Sequence, residues 1–321
     1  MLLSIIILNY KSWDKLEDCI KSILNYPPKD DYEIIVVDND SQDGVFESFQ
    51  SKFPSVKLFK NKGNYGFSSG NNFGADKASG EYFLFLNPDT ELTKSPAIDR
   101  MIEYMAAHKN SGIVSCRKLK PNGNYDREIT FLNPWLSVGI VRSLYKIVFK
   151  SRIQKQYPDR ENIWHPDWLT GSVFLISKKT FDQVKGLSEH DFWMYFEELD
   201  LARKIRKINK TVTLLRDVEI IHQHGGSSRK NPATSAITKS EVLISRHVYI
   251  QKYFSGLNLI CLHSFMFITS YFSQLMLAII YTPFFWTRSS QAKILLLFES
   301  SKYYYSVLKR LTFKSKRLKK I

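Results

Sequence analysis

Three observations predict an α/β fold on a mostly parallel sheet. Short apolar runs alternate with helix-period segments across the first 90 residues, the pattern of βα units. Two of the runs, Glu33–Asp38 and Tyr82–Leu86, give way to polar residues (Asp38-Asn39 and Asn87-Pro88-Asp89), at the strand ends where such sheets bind ligands. The composition, 44% apolar and 24% charged, is that of a globular protein. It excludes a disordered, collagenous or polytopic membrane chain.

The elements follow in order. Met1–Leu8 is apolar, lacks a basic n-region and runs straight into Asn9-Tyr10-Lys11. It is too short for a signal peptide and reads as a strand over 2–8. Trp13, Leu16, Ile20, Ile23 and Leu24 recur at helical spacing and predict a helix over 13–25. The strand at 33–38 precedes a helix over 43–52 and a short strand at 56–60. Glycines punctuate 63–74 ahead of a helix to about Ala78, and 82–86 is again a strand. Farther on, a helix opens at Glu197 and continues through Leu201, Ile205 and Ile208. Val212, Leu214, Val218 and Ile220 mark a strand leading to His222. The first βα turn, Leu8–Trp13, contains no glycine, so a dinucleotide-binding Rossmann site is excluded.

Charge divides the chain. Its 321 residues carry 46 Lys+Arg and 31 Asp+Glu, a net +15, of which residues 288–321 hold +9. Tyr253–Thr287 contains no charged residue across 35 positions, long enough to be a transmembrane candidate. The polar side chains within it, and the basic tail after it, favour an in-plane segment or a shallow hairpin turning near Pro283, with both ends on the cytoplasmic side; the alternative is a hydrophobic helical subdomain packed on the main domain. The expected organisation is therefore an α/β domain over 1–250 and an apolar-then-basic helical segment over 251–321 that associates with an anionic membrane surface. Nucleic acid is the other polyanion a basic chain serves, but no helix-turn-helix, zinc-finger or RNA-binding signature is present. Three widely spaced cysteines without CxxC exclude a cysteine zinc site and fit a reducing compartment.

Several clusters carry chemistry. Asp38, at a strand end, is placed to accept hydrogen bonds from a base or ribose. Residues 61–74 hold four glycines and four asparagines in fourteen positions, which reads as backbone drawn tight against a ligand. A carboxylate at Asp89 suits a divalent cation that neutralises a diphosphate. Glu197-Glu198-Leu199-Asp200 opens a helix, where acids favour the dipole or supply a general base. His222 and His224, followed by Gly-Gly-Ser-Ser-Arg, suggest a loop closing on an anion with Arg229 and Lys230. Zinc lacks a third ligand at suitable spacing.

Taken together, these segments resemble glycosyltransferase family 2, nearest its bacterial rhamnosyltransferase-like branch. The resemblance rests on Val37-Asp38-Asn39, Ser41, Asp43-Gly44, Gly63-Asn64-Tyr65-Gly66-Phe67, Asn71 and Leu86-Asn87-Pro88-Asp89. It continues in Trp168-Leu169-Thr170-Gly171-Ser172, Met194-Tyr195-Phe196-Glu197-Glu198-Leu199-Asp200-Leu201 and His222-Gln223-His224-Gly225-Gly226-Ser227. It implies a GT-A fold, a nucleotide-diphospho-sugar donor, Mg²⁺ or Mn²⁺, and inversion at the anomeric carbon. Carried over by position, Asn9, Asp38, Asn39, Asn64, Gly66, Phe67, Asn71, Asn87 and Asp89 face the donor. Trp168, Gly171 and Tyr195 face the acceptor. Glu198 is the base with Glu197 as the alternative, Asp200 orients the loop or helix, and Asp89 holds the metal with His222, His224 being the alternative histidine. Two departures stand out: the family's Asp-x-Asp is Asn87-Pro88-Asp89, and its Gly-Phe-Asp-Glu is Gly186-Leu187-Ser188-Glu189. The implied acceptor is a saccharide, lipid-linked at the inner face of the membrane, in cell-surface polysaccharide synthesis. The branch points to dTDP-rhamnose among donors without fixing it. An inactive scaffold on the same fold is the competing reading.

Overall fold

The computed structural model describes every residue except Ser95, Val138, 224–230 and 319–321. In chain order the elements are β1 (Leu3–Asn9), α1 (Trp13–Asn25), β2 (Tyr32–Asp38), α2 (Phe46–Lys52), β3 (Lys57–Lys60), α3 (Gly66–Asp76), β4 (Tyr82–Leu86), β5 (Thr90–Glu91) and α4 (Ala97–Ala107). Next come β6 (Ser111–Leu119), α5 (Gly139–Val148), α6 (Lys150–Gln156), β7 (Ile163–Trp164), β8 (Val173–Ser177), α7 (Lys178–Gln183), α8 (Glu197–Lys207) and β9 (Thr211–His222). Three long helices close the chain: α9 (Pro232–Tyr253), α10 (Gly256–Tyr281) and α11 (Arg288–Arg310). The helix expected over 13–25 and the strand over 82–86 have those bounds in the structure.

The chain forms two compact units, Met1–Ser188 with Glu198–His224, and Glu189–Glu197 with Gly225–Ile321. The first is built on a nine-stranded sheet of order β3-β2-β1-β4-β8-β6-β9-β5, with β7 paired to β9. β1 to β4 are parallel, as the alternating pattern predicts. β8 then enters antiparallel to both β4 and β6, and β6 pairs parallel with β9. The strands bury both faces, because period-two side chains go to opposite sides of a sheet. Leu3, Ile5 and Ile7 join α1 and α4 in one core layer. Ile6, Phe83 and Phe85 join α7 and α8 in the other through Phe181, Leu201 and Ile205.

Two glycines expected to lie against a ligand do something else. A Cβ on Gly70 would stand 2.3 Å from Leu8 Cδ1, and one on Gly74 would stand 2.6 Å from Ile6 Cγ2. They let α3 approach β1 closely, so helix–sheet packing accounts for them.

In the second unit, α9 begins at an Asn231 cap whose side chain accepts from Thr234 N (2.8 Å), and the chain turns at Thr282–Phe284 between α10 and α11. The segment Gly256–Phe284 is long and apolar enough to cross a membrane, with 11% of its apolar window buried. The tail after α11 folds back within this unit. Lys314 Nζ pairs with Asp191 Oδ1 (2.9 Å) and donates to His190 O (3.0 Å), while Lys252 pairs with Asp191 Oδ2 (2.9 Å). Arg317 reaches fully buried Glu241 (2.8 Å), and Ser245 Oγ donates to Met194 O (2.8 Å). Part of the basic tail is therefore neutralised inside the molecule.

Candidate active site

Strand register brings the polar residues of the first unit to one edge of the sheet. Asn9 lies opposite Asp38, Leu86 opposite Val173, and Thr90 opposite His222. Because β8 runs antiparallel, its start meets the end of β4, and Asn87 N donates to Ser172 O (2.8 Å). Asn9, Asp38, Asn87, Asp89, Gly171 and His222 thus share the carboxyl edge of the parallel strands, where ligands bind in this architecture.

The loops at this edge are held by amide and carboxylate bonds. Asp38 is buried and accepts from Asn9 Nδ2 (3.1 Å), Ser41 N (3.0 Å) and Ser41 Oγ (2.5 Å). Asn39 Nδ2 donates to Asn64 Oδ1 (3.0 Å) and Gly66 O (3.2 Å), while Asn61 Nδ2 donates to Asn39 Oδ1 (2.9 Å). This lattice fixes the turn into α3, where Gly66 takes φ +90°, a conformation open to glycine. Asn71 Nδ2 caps back onto Phe67 O (2.9 Å).

Phe67, Gly171 and Glu198 converge. A Cβ on Gly171 would lie 3.7 Å from the Phe67 ring and 4.0 Å from Glu198 Cβ. The three positions come from α3, the approach to β8 and α8, which no sequence spacing connects. Trp168 is anchored beside them: its indole Nε1 donates to Phe131 O (3.2 Å), and its backbone exchanges bonds with Thr130 Oγ1 (3.0 and 2.5 Å).

Asp200 is placed differently. It is fully buried, accepts from Ser188 Oγ (2.6 Å) and pairs with Lys204 Nζ (3.7 Å), which in turn donates to Gly186 O (2.6 Å). The carboxylate therefore ties α8 to the segment before it. Glu197, the first residue of α8, is buried. Tyr195 belongs to the second unit, and it and Phe196 both adopt φ 68°. Two consecutive non-glycine residues in the left-handed region carry backbone strain, which concentrates at functional segments.

A second cluster surrounds His222, which is buried between two acids. Its Nε2 lies 3.4 Å from Asp89 Oδ1 and its Nδ1 lies 3.8 Å from Asp126 Oδ2. Burial alone would depress its pKa, but the carboxylates of Asp126 and Asp89 outweigh that and hold it above the ordinary value. Asp126 escaped the sequence reading. A tight turn returns it, with Lys120 N bonded to Asn124 O (2.8 Å) and Gly123 at φ +79°. Asn122-Gly123-Asn124 signals that turn, yet nothing local says which strand end the next acid meets.

Carboxylate oxygen and imidazole nitrogen together suit a divalent ion such as Mn²⁺. Among the described residues no group of three His, Cys, Asp or Glu is arranged to hold a metal. Asp89 Oδ1 and His222 Nε2, 3.4 Å apart, are a pair of such donors that stand together at this edge. His224, Arg229 and Lys230 lie outside the described residues.

The family model for glycosyl transferase family 2 matches residues 4–183. The low-salt glycan biosynthesis hexosyltransferase Agl10 of Haloferax volcanii is 30% identical over 227 residues, covering 68% of this chain and 66% of that protein. An N-acetylglucosaminyl-diphospho-decaprenol L-rhamnosyltransferase of Mycobacterium tuberculosis is 21% identical, covering 72% of this chain and 79% of that one. Among solved structures, mannosyltransferase PcManGT from Pyrobaculum calidifontis, in complex with GDP-Man and Mn²⁺, aligns with a TM-score of 0.55 at 13% identity. The alignment covers 95% of this chain and 87% of that chain. At that identity the likeness concerns the fold.

Proposed function

The chain belongs to glycosyl transferase family 2, and from that premise we propose that it is an inverting sugar transferase whose chemistry is divided between Glu198 and the Asp89–His222 pair. It is a nucleotide-sugar glycosyltransferase of glycan biosynthesis on a GT-A fold. The observation that carries the finer reading is the meeting of Phe67, Gly171 and Glu198, on the same sheet edge as Asp89 and His222.

In this reading the nucleoside of the donor lies along Asn9, Asp38 and Asn39, and Asn64, Gly66, Phe67 and Asn71 line its sugar side. Asp38 acts chiefly by holding the loop, since its carboxylate already accepts three hydrogen bonds. The acceptor sits over Trp168 and Gly171 in the first unit, while Tyr195, assigned to the acceptor by the resemblance alone, belongs to the second. Glu198 takes the proton of the acceptor hydroxyl as its oxygen bonds to the anomeric carbon. The bond from that carbon to the diphosphate oxygen breaks in line, and the electron pair leaves with the nucleoside diphosphate. Attack opposite the leaving group inverts the anomeric configuration. Asp89 and His222 would hold a Mg²⁺ or Mn²⁺ ion, which supplies charge neutralisation for the leaving diphosphate. Asp200 is a positioning residue that sets the start of α8 through Ser188 and Lys204. Glu197 is the alternative base.

The Mycobacterium tuberculosis relative is named for rhamnosyl transfer to a lipid-linked saccharide, which supports rhamnose among the donors and a lipid-linked acceptor here. The reading places the protein at the inner face of the membrane, with the apolar α10 and the basic tail in contact with lipid. The test screens nucleotide sugars with Mn²⁺ by thermal shift, since a ligand of the native state raises stability by RT ln(1 + [L]/Kd). Hits are then assayed for nucleoside diphosphate release with saccharide acceptors. One donor raising the melting temperature and turning over is expected. Nucleotide binding with no turnover across donors and acceptors would favour the inactive scaffold.

A further inference from the structure

Helix α5 (Gly139–Val148) faces the wrong way for a helix against water. Leu144, Ile147 and Val148, at i, i+3 and i+4 on one face, are 58%, 72% and 70% exposed. Its two cations, Arg142 and Lys146, are half-buried one turn apart. Tyr145 secures the inner side by packing on Phe131 (5.4 Å between ring centroids) and Phe149 (4.6 Å). A surface helix in water shows the opposite distribution.

The charge of its own stretch of sequence is also one-sided. Residues 129–158 contain five Lys/Arg and no Asp or Glu. Burial, and then the positive charge of Arg127, hold Arg142 and Lys146 below their ordinary pKa values, and Arg142 acts on Lys146 in the same sense. Three cations are thus gathered where the charges acting on Arg142 and Lys146 are all positive, beside an apolar face left exposed among the described residues. An anionic phospholipid satisfies both at once, with phosphate for the cations and acyl chain for the face. A protein partner would need an acid and an apolar ridge in the same register.

We propose that α5 docks the catalytic unit on a bilayer, its outer face among acyl chains and Arg127, Arg142 and Lys146 around the phosphate of an anionic phospholipid. The site belongs to the first unit, whereas α10 and the basic tail belong to the second. It also touches the acceptor side, because Tyr145 packs on Phe131, whose carbonyl holds the Trp168 indole. A bilayer seated on α5 lies one packing contact from Trp168. This deepens the proposed reading of a lipid-borne acceptor, although docking itself does not depend on which sugar moves.

The test uses the full chain. Of its three thiols only Cys261 is exposed, and burial pushes Cys19 and Cys116 up to about 12. Cys261→Ser with Ile147→Cys therefore offers one reactive position for an environment-sensitive dye. Vesicles of phosphatidylcholine alone and of phosphatidylcholine with phosphatidylglycerol (7:3) are then titrated. With the anionic vesicles the dye is expected to shift to the blue and brighten several-fold. A control dye at exposed Lys29→Cys should stay water-like. Arg142→Gln with Lys146→Gln should move the titration midpoint about tenfold higher or more, at about 1 kcal/mol per cation near the surface, with the thermal melt unchanged. A chain that floats with vesicles while dye 147 stays water-like overturns the proposal, as does a chain that does not bind vesicles. An equal response to neutral vesicles and in the glutamine variant overturns the phosphate site. The readout is a spectrum at one position, so it fails independently of sugar transfer.

Discussion

Gly171→Ala separates the site from the scaffold. The added methyl would lie 3.7 Å from the Phe67 ring and 4.0 Å from Glu198 Cβ, ordinary van der Waals contact. The glycine is outside the left-handed region, so alanine adopts its backbone without strain. Stiffening the unfolded chain at such a position stabilises by about 0.4–1 kcal/mol, a rise in Tm of roughly 1–4 °C for a unit of this size. The methyl nevertheless occupies the gap between the sugar-side ring and the base. Displacing a reacting group by about 1 Å lowers rate by roughly 100-fold, so kcat for transfer should fall about 10- to 100-fold while donor Kd holds. Calorimetric melting, donor titration and steady-state transfer on one preparation check this. Wild-type kcat would refute the acceptor's placement at Gly171, and a Tm lowered by several degrees would refute the packing. Gly74→Ala supplies the contrast. Its Cβ would stand 2.6 Å from Ile6 Cγ2, and overpacking of about 1–3 kcal/mol cancels or exceeds the roughly 1 kcal/mol gained in helix propensity.

Three other outcomes are expected. Glu198→Gln should lower turnover by about 10²–10⁴ with donor Kd unchanged. A large affinity loss with a modest rate loss, read in the same two assays, would make Glu198 a binding residue. Asp89→Asn should abolish the response of donor turnover to added Mn²⁺ or Mg²⁺; a mutant that keeps wild-type metal-dependent activity removes Asp89 from the metal site. Glu33 governs acid stability. Burial would raise its pKa, but Lys57, Ser4 and Ser79 bond its carboxylate (2.6–2.7 Å) and hold it at about 2 against 4.5. With the folded pKa depressed, the stabilisation is present above about 4.5 and is lost as pH falls through about 2. Screened by solvent at the half-exposed Lys57, it amounts to about 1–2 kcal/mol, and urea melts at pH 7, 4 and 3 should show a loss that Glu33→Gln lacks.

The parallel half of the sheet was legible because each strand is an apolar run and each helix keeps its period. The antiparallel entry of β8 was not, since Val173-Phe174-Leu175-Ile176 reads the same in either direction. The strand-end places of Asp38 and Asp89 were readable from residue type, whereas Asn39 and the choice of Glu198 over Glu197 rest on the family resemblance. Asp126 was not readable, because its partner lies 96 positions away on another strand end. Gly70 and Gly74 pointed to a ligand only because close helix packing and close ligand approach need the same absent side chain. α5 passed without notice, because an apolar period says that a helix has a greasy face and not which way the face points.

The tail that closes over Asp191 and Glu241 also bears on the order in which this protein is made. Residues 189–197 leave the ribosome well over a hundred positions before Lys314 and Arg317, yet their unit is finished only when those cations arrive. The strained Tyr195-Phe196 pair directly ahead of Glu198 is in that early segment. A chain that stops before Lys314 therefore has its whole sheet and Glu198 but lacks the clasp around the segment that leads into α8. The arrival of Lys314 and Arg317 becomes the event that sets this part of the enzyme.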